Sequence, residues 1–352
     1  MRVATAALAL GLAGFVVATQ AQAQQITITG AGATFPAPVY TKWAEAAKPD
    51  LGISVNYQAI GSGGGQNQIM NRTVDFGASD APMAVEKLRS GNLLQFPTVM
   101  GAVVVIVNLP GVQPNQLKLT GPVVSAIYEG QIKRWNDPKL AELNPDTKLP
   151  DMAIAPVHRA DGSGTTFVFT SYLSDVSPSW KQNVGASTSV SWPVSAGAKG
   201  NDGVAATVRN VRGGIGYVEY AYAKQSNMIT TAMRNKAGQF VRPDMDAFRA
   251  AAGSADWEHA ENYAVNLINQ PGDRTWPIMS ATFIELPKDP KDASRSAAVI
   301  KFFDWAYRNG DQIAIDLDYV PIPERVSDSV RKDWQATIKG PDGKPVLNLA
   351  SQ

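Results

Sequence analysis

Apolar and polar positions along this chain fall into short segments whose period keeps changing. Residues 26–29 are a β-branched run, and residues 53–57 alternate as a half-buried strand does. Between them Val39, Tyr40, Trp43, Ala46 and Ala47 recur at helical spacing from about Pro36 to Ala47, with Pro36 or Pro38 suited to the first turn. A helical pattern resumes near Gln66. Residues 74–78 predict another strand, and Ser79-Asp80-Ala81-Pro82 predicts a helix opening toward Leu88. Residues 102–108 (AVVVIVN) form a continuous apolar run, the pattern of a strand covered on both faces.

The middle and end of the chain repeat this grammar. Thr120 is placed to cap a helix with Pro122 in its first turn and Gly130 beyond its end. Residues 152–157 predict a strand running into His158 and the loop Arg159-Ala160-Asp161-Gly162-Ser163-Gly164-Thr165, and a helix follows to about Leu173. Strands are expected at 189–194 and 215–219, separated by a Gly/Asn loop at 197–203 and a helix to about Val211. Residues 294–308 make an amphipathic helix with Val299, Phe302, Phe303 and Ala306 on one face, stopped by Gly310, and a last helix begins at Pro321 and reaches Trp334. Trp and Phe residues at helical spacing read as core. Such alternation predicts α/β architecture with largely parallel sheets. At 352 residues the length suggests about two domains. There is no internal repeat and no low-complexity linker, so the domains are expected to be joined by strands that cross between them.

The N-terminus has a different character. Arg2 precedes an apolar run from Val3 to about Ala18, followed by the small-x-small site Ala21-Gln22-Ala23. This reads as a signal peptide, residues 1–23, cleaved after Ala23. Removing it takes away Arg2 alone among the charged residues, leaving basic and acidic side chains in equal number. That balance argues against nucleic acid or an acidic membrane surface as a partner. No later segment reaches about 18 unbroken apolar residues, so the processed protein is expected to be soluble and exported, in a Gram-negative periplasm. With no cysteine, disulfides, thiolate metal sites, a thiol nucleophile and a thioether anchor are excluded. The two histidines, His158 and His259, leave little room for a transition metal.

Four segments share one design. Loops at 30–35, 61–65, 79–80 and 159–165 each follow a strand, precede a helix, and are built from Gly, Ala, Ser and Thr. Ligands of open α/β sheets bind at the carboxyl ends of strands, where helix N-termini present unpaired N–H groups and a partial positive charge. Several such termini converging make an anion site. Arg159 adds a planar, permanently charged fork. The dinucleotide fingerprint lacks its third glycine at Phe35, and neither a phosphate-binding G-x-x-x-x-G-K-[ST] loop nor a G-x-S-x-G nucleophile elbow occurs.

TGAGATFPAPVYTKWAE (29–45), NYQAIGSGGG (56–65), VDFGASDAPM (74–83), RADGSGTTFVFTSYL (159–173), GGIGYVEYAYAKQ (213–225) and KFFDWAYRNG (301–310) resemble the periplasmic phosphate-binding proteins of the high-affinity phosphate ABC importer. The resemblance spans essentially the whole processed chain. It implies a two-lobed type II periplasmic-binding-protein fold that closes on one phosphate and hands it to inner-membrane permease subunits, without cofactor or catalysis. Carried over by motif, it implies phosphate contacts from Thr34 and Phe35 in the first loop, Ser62 in the second, Asp80 in the third, and Arg159, Ser163, Gly164 and Thr165 from the opposite lobe. By the same analogy one lobe comprises residues 24–103 and 280–352 and the other 104–279. Two positions depart from the common pattern: His158 stands where many members have a second arginine, and Gly63 where many have serine.

A carboxylate facing an anion makes sense if the anion keeps a proton. Ionised aspartate only accepts hydrogen bonds, phosphate near neutral pH still has an O–H to donate, and sulfate has none. Arsenate is protonated like phosphate, so the carboxylate does not exclude it. Blander roles stand beside these. Asp80 can cap a helix ahead of Pro82, and Arg159 can be a surface ion-pair residue. Asp161 can fix the Arg159 fork or cap the helix near Ser163. His158 can be an ordinary satisfied or exposed histidine, and His259 a surface one. The competing functions are a receptor for another oxyanion and a secreted phosphomonoesterase or serine hydrolase using Ser163 with His158. With no oligomerisation segment in view, a monomer is expected.

Overall fold

The computed structural model describes residues 26–348; the signal peptide read at 1–23 lies outside them. Its organising element is the strand Leu93–Val107, every one of whose fifteen residues is buried. Only its second half is apolar enough to stand out in the sequence. Its first half carries Gln95, Pro97 and Thr98, and Pro97 costs a ladder hydrogen bond. A bulge absorbs this: opposite it Thr282 pairs with Val99 and Phe283 with Pro97, leaving Thr98 as the extra residue.

The main sheet runs Ile53–Ala59, Ile26–Gly32, Phe76–Ser79, Met279–Pro287, Leu93–Val107, Gly214–Glu219, Ala155–Arg159, Ala196–Ala198. Both flanks are parallel, as the strand–helix alternation predicts. The centre is not. Met279–Pro287 runs antiparallel to both neighbours, and Leu93–Val107 antiparallel to Gly214–Glu219. The sheets are therefore mixed rather than largely parallel, because the centre is built by long strands that traverse the molecule instead of by helix crossovers.

Leu93–Val107 pairs with Met279–Pro287 up to Ala102, and with Gly214–Glu219 from Val103 onward. One uninterrupted strand thus belongs to both lobes of the α/β fold. Each lobe has its own aromatic core. In the first, Phe303 packs against Tyr40, Phe76 and Phe96 at ring-centroid distances of 5.8, 5.3 and 5.7 Å. In the second, Tyr217 stacks on Phe169 at 4.1 Å and on Trp192 at 5.9 Å.

Three expected elements are displaced. Residues 189–194 form no strand; Trp192 instead lays its ring over His158, and the strand is Ala196–Ala198. No helix opens at Ser79. The Ser79 hydroxyl accepts from Ala81 N and donates to Ala81 O, a local turn that competes with helix, and the helix begins only at Val85. The last helix is Glu324–Thr337, because Val320–Pro321 is taken up as a strand beside Leu93–Val107. Among the described residues no helix is long and apolar enough to cross a membrane.

Candidate functional site

The four loops converge. Thr34 and Phe35 lie between the strand Ile26–Gly32 and the helix Ala37–Leu51. Ser62 opens the helix Ser62–Met70 after Gly61, whose φ of 94° suits glycine. Asp80 follows the strand Phe76–Ser79. From the other lobe, Arg159 ends Ala155–Arg159, and Ser163, Gly164 and Thr165 begin the helix Gly164–Val176.

The lobes touch at this point. Gly63 N donates to Gly162 O at 2.9 Å. Ser62 Oγ accepts from Gly164 N across the lobes at 3.0 Å and from Asp80 N at 3.3 Å. A hydroxyl has two lone pairs and one proton, so Ser62 is left with only its proton to offer. A methyl group on Gly164 would sit 2.5 Å from Ser62 Oγ and 2.6 Å from Asp80 Oδ2. Gly164→Ala is therefore expected to keep each lobe folded while preventing this closed contact. Affinity for the site's ligand should fall at least about 100-fold, the worth of a few kcal/mol of overpacking. A variant that titrates like the wild type would refute the closed geometry.

Arg159 is buried, and Asp161 grips it in a fork. Nε donates to Asp161 Oδ1 at 2.8 Å and Nη2 to Oδ2 at 2.5 Å, while Nη1 donates to Thr165 Oγ1 at 3.2 Å. Three of five guanidinium donors are engaged, and two N–H bonds remain. This settles two alternatives. Asp161 holds the arginine, and Ser163 caps the helix, its Oγ accepting from Thr166 N at 3.0 Å. Burial works against the charged Asp161, but the hydrogen bonds and charge of Arg159 prevail and hold its carboxyl below the usual range.

Asp80 caps nothing. Its side chain is buried, and Oδ1 accepts from Thr282 Oγ1 at 2.7 Å. Oδ2 is also buried and has no hydrogen-bond partner among the described residues. Burial pushes the carboxyl up to about 7, against the opposing pull of the Thr282 hydrogen bond and the Arg159 charge. The site therefore offers several donors and one lone acceptor. That combination suits a small oxyanion that still carries a proton.

Thr34 Oγ1 accepts from Asn201 Nδ2 at 2.7 Å, and Thr34 O accepts from Tyr222 OH at 2.6 Å. The Phe35 ring is core, packed edge-on to Tyr319 at 6.3 Å, and Phe35 O accepts from Tyr319 OH at 2.6 Å. His158 is half-buried, stacks on Trp192 at 5.0 Å and has Nδ1 2.7 Å from Ser195 Oγ. Its hydrogen bond goes to Ser195, not to Ser163, and burial lowers its basicity. His259 is exposed beside Asp256.

Reading the sequence missed Asn201, Thr282, Tyr222 and Tyr319. Asn201 lay inside the Gly/Asn loop that was recognised, and Tyr222 inside a recognised motif. Thr282 and Tyr319 carried no signal, since only strand pairing and long-range packing bring them near.

A family profile described as the PBP superfamily domain matches residues 17–309. The chain is 51% identical over 337 residues to the phosphate-binding protein PstS of Pasteurella multocida, covering 96% of this chain and 97% of that one. It is 50% identical over 317 residues to the same-named protein of Haemophilus influenzae, covering 90% and 95%. Among solved structures, a high-affinity periplasmic phosphate-binding protein (PfluDING) bound with phosphate superposes with a TM-score of 0.70 at 22% identity, covering 88% of this chain and 94% of that one. A phosphate-binding protein from Stenotrophomonas maltophilia superposes with a TM-score of 0.66 at 21% identity, covering 88% and 94%. At these identities the superpositions speak to the fold.

Proposed function

The chain belongs to the PstS phosphate-binding protein family within the PBP superfamily, and from that premise we propose that it binds inorganic phosphate as the receptor of an ABC-type importer. The observation that carries the reading is the buried, unpartnered Asp80 Oδ2 set in the same site as the two remaining N–H bonds of Arg159. Phosphate at neutral pH has acceptor oxygens for the guanidinium and a P–O–H for the carboxylate.

In this reading Thr34, Phe35, Ser62 and Asp80 hold the anion from one lobe and Arg159, Ser163, Gly164 and Thr165 from the other. Phe35 contributes its main-chain amide, and Gly164, whose amide donates to Ser62 Oγ, brings the loops of the two lobes together at the anion. The lobes are residues 24–103 with 280–352, and 104–279. The protein is a monomer, exported by residues 1–23 to the periplasm, that docks on the permease subunits of the importer in its closed form. It binds without turnover, and the pairing of His158 with Ser195 supports this, because Ser163 then lacks a general base.

Calorimetric titration of refolded, anion-stripped protein tests the proposal. We expect one-to-one phosphate binding at about micromolar Kd or tighter, about −8 kcal/mol or more. Excess sulfate should not displace it. The scattering radius should shrink on saturation, as hinge closure requires. No heat with phosphate from folded, stripped protein would overturn the ligand; binding without compaction would overturn the hinge.

A further inference from the structure

Asn201 is the second residue of the helix Gly200–Asn210 and is fully buried, yet its amide works entirely outside that helix. Its Oδ1 accepts from Glu219 N at 3.0 Å. A backbone amide only donates, so this contact fixes the orientation of the side chain: oxygen toward Glu219, NH2 toward the site. Nδ2 then donates to Thr34 Oγ1 at 2.7 Å and to Thr165 Oγ1 at 3.2 Å. Asn201 N donates to Thr34 Oγ1 as well, at 3.3 Å.

The consequence falls on two hydroxyls. Thr34 Oγ1 receives two N–H groups, both from Asn201. Thr165 Oγ1 receives one from Asn201 and one from Arg159. With both lone pairs of each oxygen occupied, the single proton of each is free only in the remaining tetrahedral direction. Thr34 and Asn201 also lie in different lobes, so their contact exists only when the lobes have met.

We infer that Asn201 is a positioning residue of the phosphate site: it latches the lobes together and leaves the Thr34 and Thr165 hydroxyl protons for the anion. The inference rests on the phosphate reading. Asn201 need not touch phosphate. It saturates the acceptors that would otherwise let these hydroxyls turn their oxygens toward a negative charge.

The test is a double-mutant cycle with Asn201→Ala and Thr34→Val, read by phosphate titration and stopped-flow kinetics. Asn201→Ala is expected to raise the phosphate Kd about 10- to 100-fold, the scale of leaving buried hydrogen-bonding partners unsatisfied. The change should appear in the dissociation rate, because the latch forms after encounter. A merely structural asparagine would give losses that multiply. Here the double variant should lose distinctly less than the product of the two singles, since Asn201 acts partly through the Thr34 hydroxyl. If Asn201→Ala fails to fold, Asn201→Asp keeps the acceptor for Glu219 N and removes both side-chain donors, and should weaken binding at least as much. Wild-type binding with either variant within about twofold of it, or multiplicative losses, would overturn the inference alone. A wild type that does not bind phosphate would overturn the phosphate reading and the inference with it.

Discussion

Asp80→Asn is expected to abolish most of the preference for phosphate over sulfate while costing much less in phosphate affinity. In the wild type, Oδ1 is committed to Thr282 and Oδ2 is buried and unpartnered. A fully ionised tetrahedral anion would set one of its acceptor oxygens against Oδ2 with no proton between them. With its carboxylate ionised, a site built around such a polar match rejects the mismatched partner by roughly 10⁴–10⁵-fold, and the protonated form does not share that rejection. In the variant an NH2 group stands where Oδ2 stood and donates to either anion. Phosphate loses one charge-assisted hydrogen bond but also loses a like charge, a net change of about tenfold. Competition titration with sulfate checks this, and selectivity equal to wild type would sink it.

The same carboxyl predicts how selectivity depends on pH. Burial places Asp80 at about 7. The charged group facing it is Arg159. The other buried acids that feel it, Glu285 and Glu219, are pushed up by their own burial, Glu285 to about 8. Above pH 7 Asp80 is ionised and only accepts, so sulfate is refused. Below pH 7 it carries a proton that sulfate can accept. Sulfate should therefore compete better as pH falls from 8 to 5, by about tenfold in all, most of it gained above 7 where the protonated fraction climbs steeply, and levelling off below 7. In Asp80→Asn the profile should be flat. A wild-type sulfate inhibition constant that does not move with pH would contradict the assignment.

Arg159→Met is expected to weaken phosphate binding by about 10²–10⁴-fold. Two guanidinium N–H bonds are available to the anion, and a hydrogen bond to a charged group contributes about 1.5–3 kcal/mol. Lysine should rescue little of this, because one ammonium cannot fill the Asp161 fork, bond Thr165 and face the anion together. Removing the arginine also strands Asp161, whose side chain is only 14% exposed. The double variant Arg159→Met/Asp161→Asn should therefore regain thermal stability without regaining affinity. Titration and melting curves on the three variants check the separation; recovery of affinity in the double variant would show that the charge of Arg159 is not what holds the anion.

Much of this was legible in the chain because the site is local. Four glycine- and hydroxyl-rich loops each sit between a strand and a helix, and a strand–helix junction aims its amides at the ligand wherever it occurs. The role of Asp161 was visible as a choice, and the geometry decides it for Arg159. What was not legible is whatever depends on pairing across the sheet. Pro97 and Thr98 broke the apolar run of the longest strand, and only the bulge opposite them keeps that strand intact. The antiparallel centre follows from Met279–Pro287 returning beside it, which no local pattern encodes. Thr282 belongs to that same return, so the residue that holds Asp80 Oδ1 was out of reach. Asn201 was hidden for another reason: its function is exerted on two threonines through hydrogen bonds that no spacing reveals.

The return of Met279–Pro287 beside Leu93–Val107 also dictates an order of events during folding. Thr98 donates to Thr282 across 184 residues of chain, so the first lobe cannot finish its sheet until everything between has been made. The Ile26–Gly32, Ile53–Ala59 and Phe76–Ser79 strands pair with one another, but Phe76–Ser79 lacks its second neighbour, and the three lack their link to Leu93–Val107, until Met279–Pro287 arrives. Closing so long a loop is entropically slow unless the intervening segment collapses first and brings its ends together. The second lobe is that segment, and its pairing with Leu93–Val107, as at Val103 and Glu219, closes a shorter loop than the return of Met279–Pro287 does. The second lobe folding early, as an insertion that draws the two ends of the first together, is the route this topology favours. Until that happens the sheet of the N-terminal third stays open at the Phe76–Ser79 edge and incomplete, a state more easily drawn out through a narrow pore than the finished lobe.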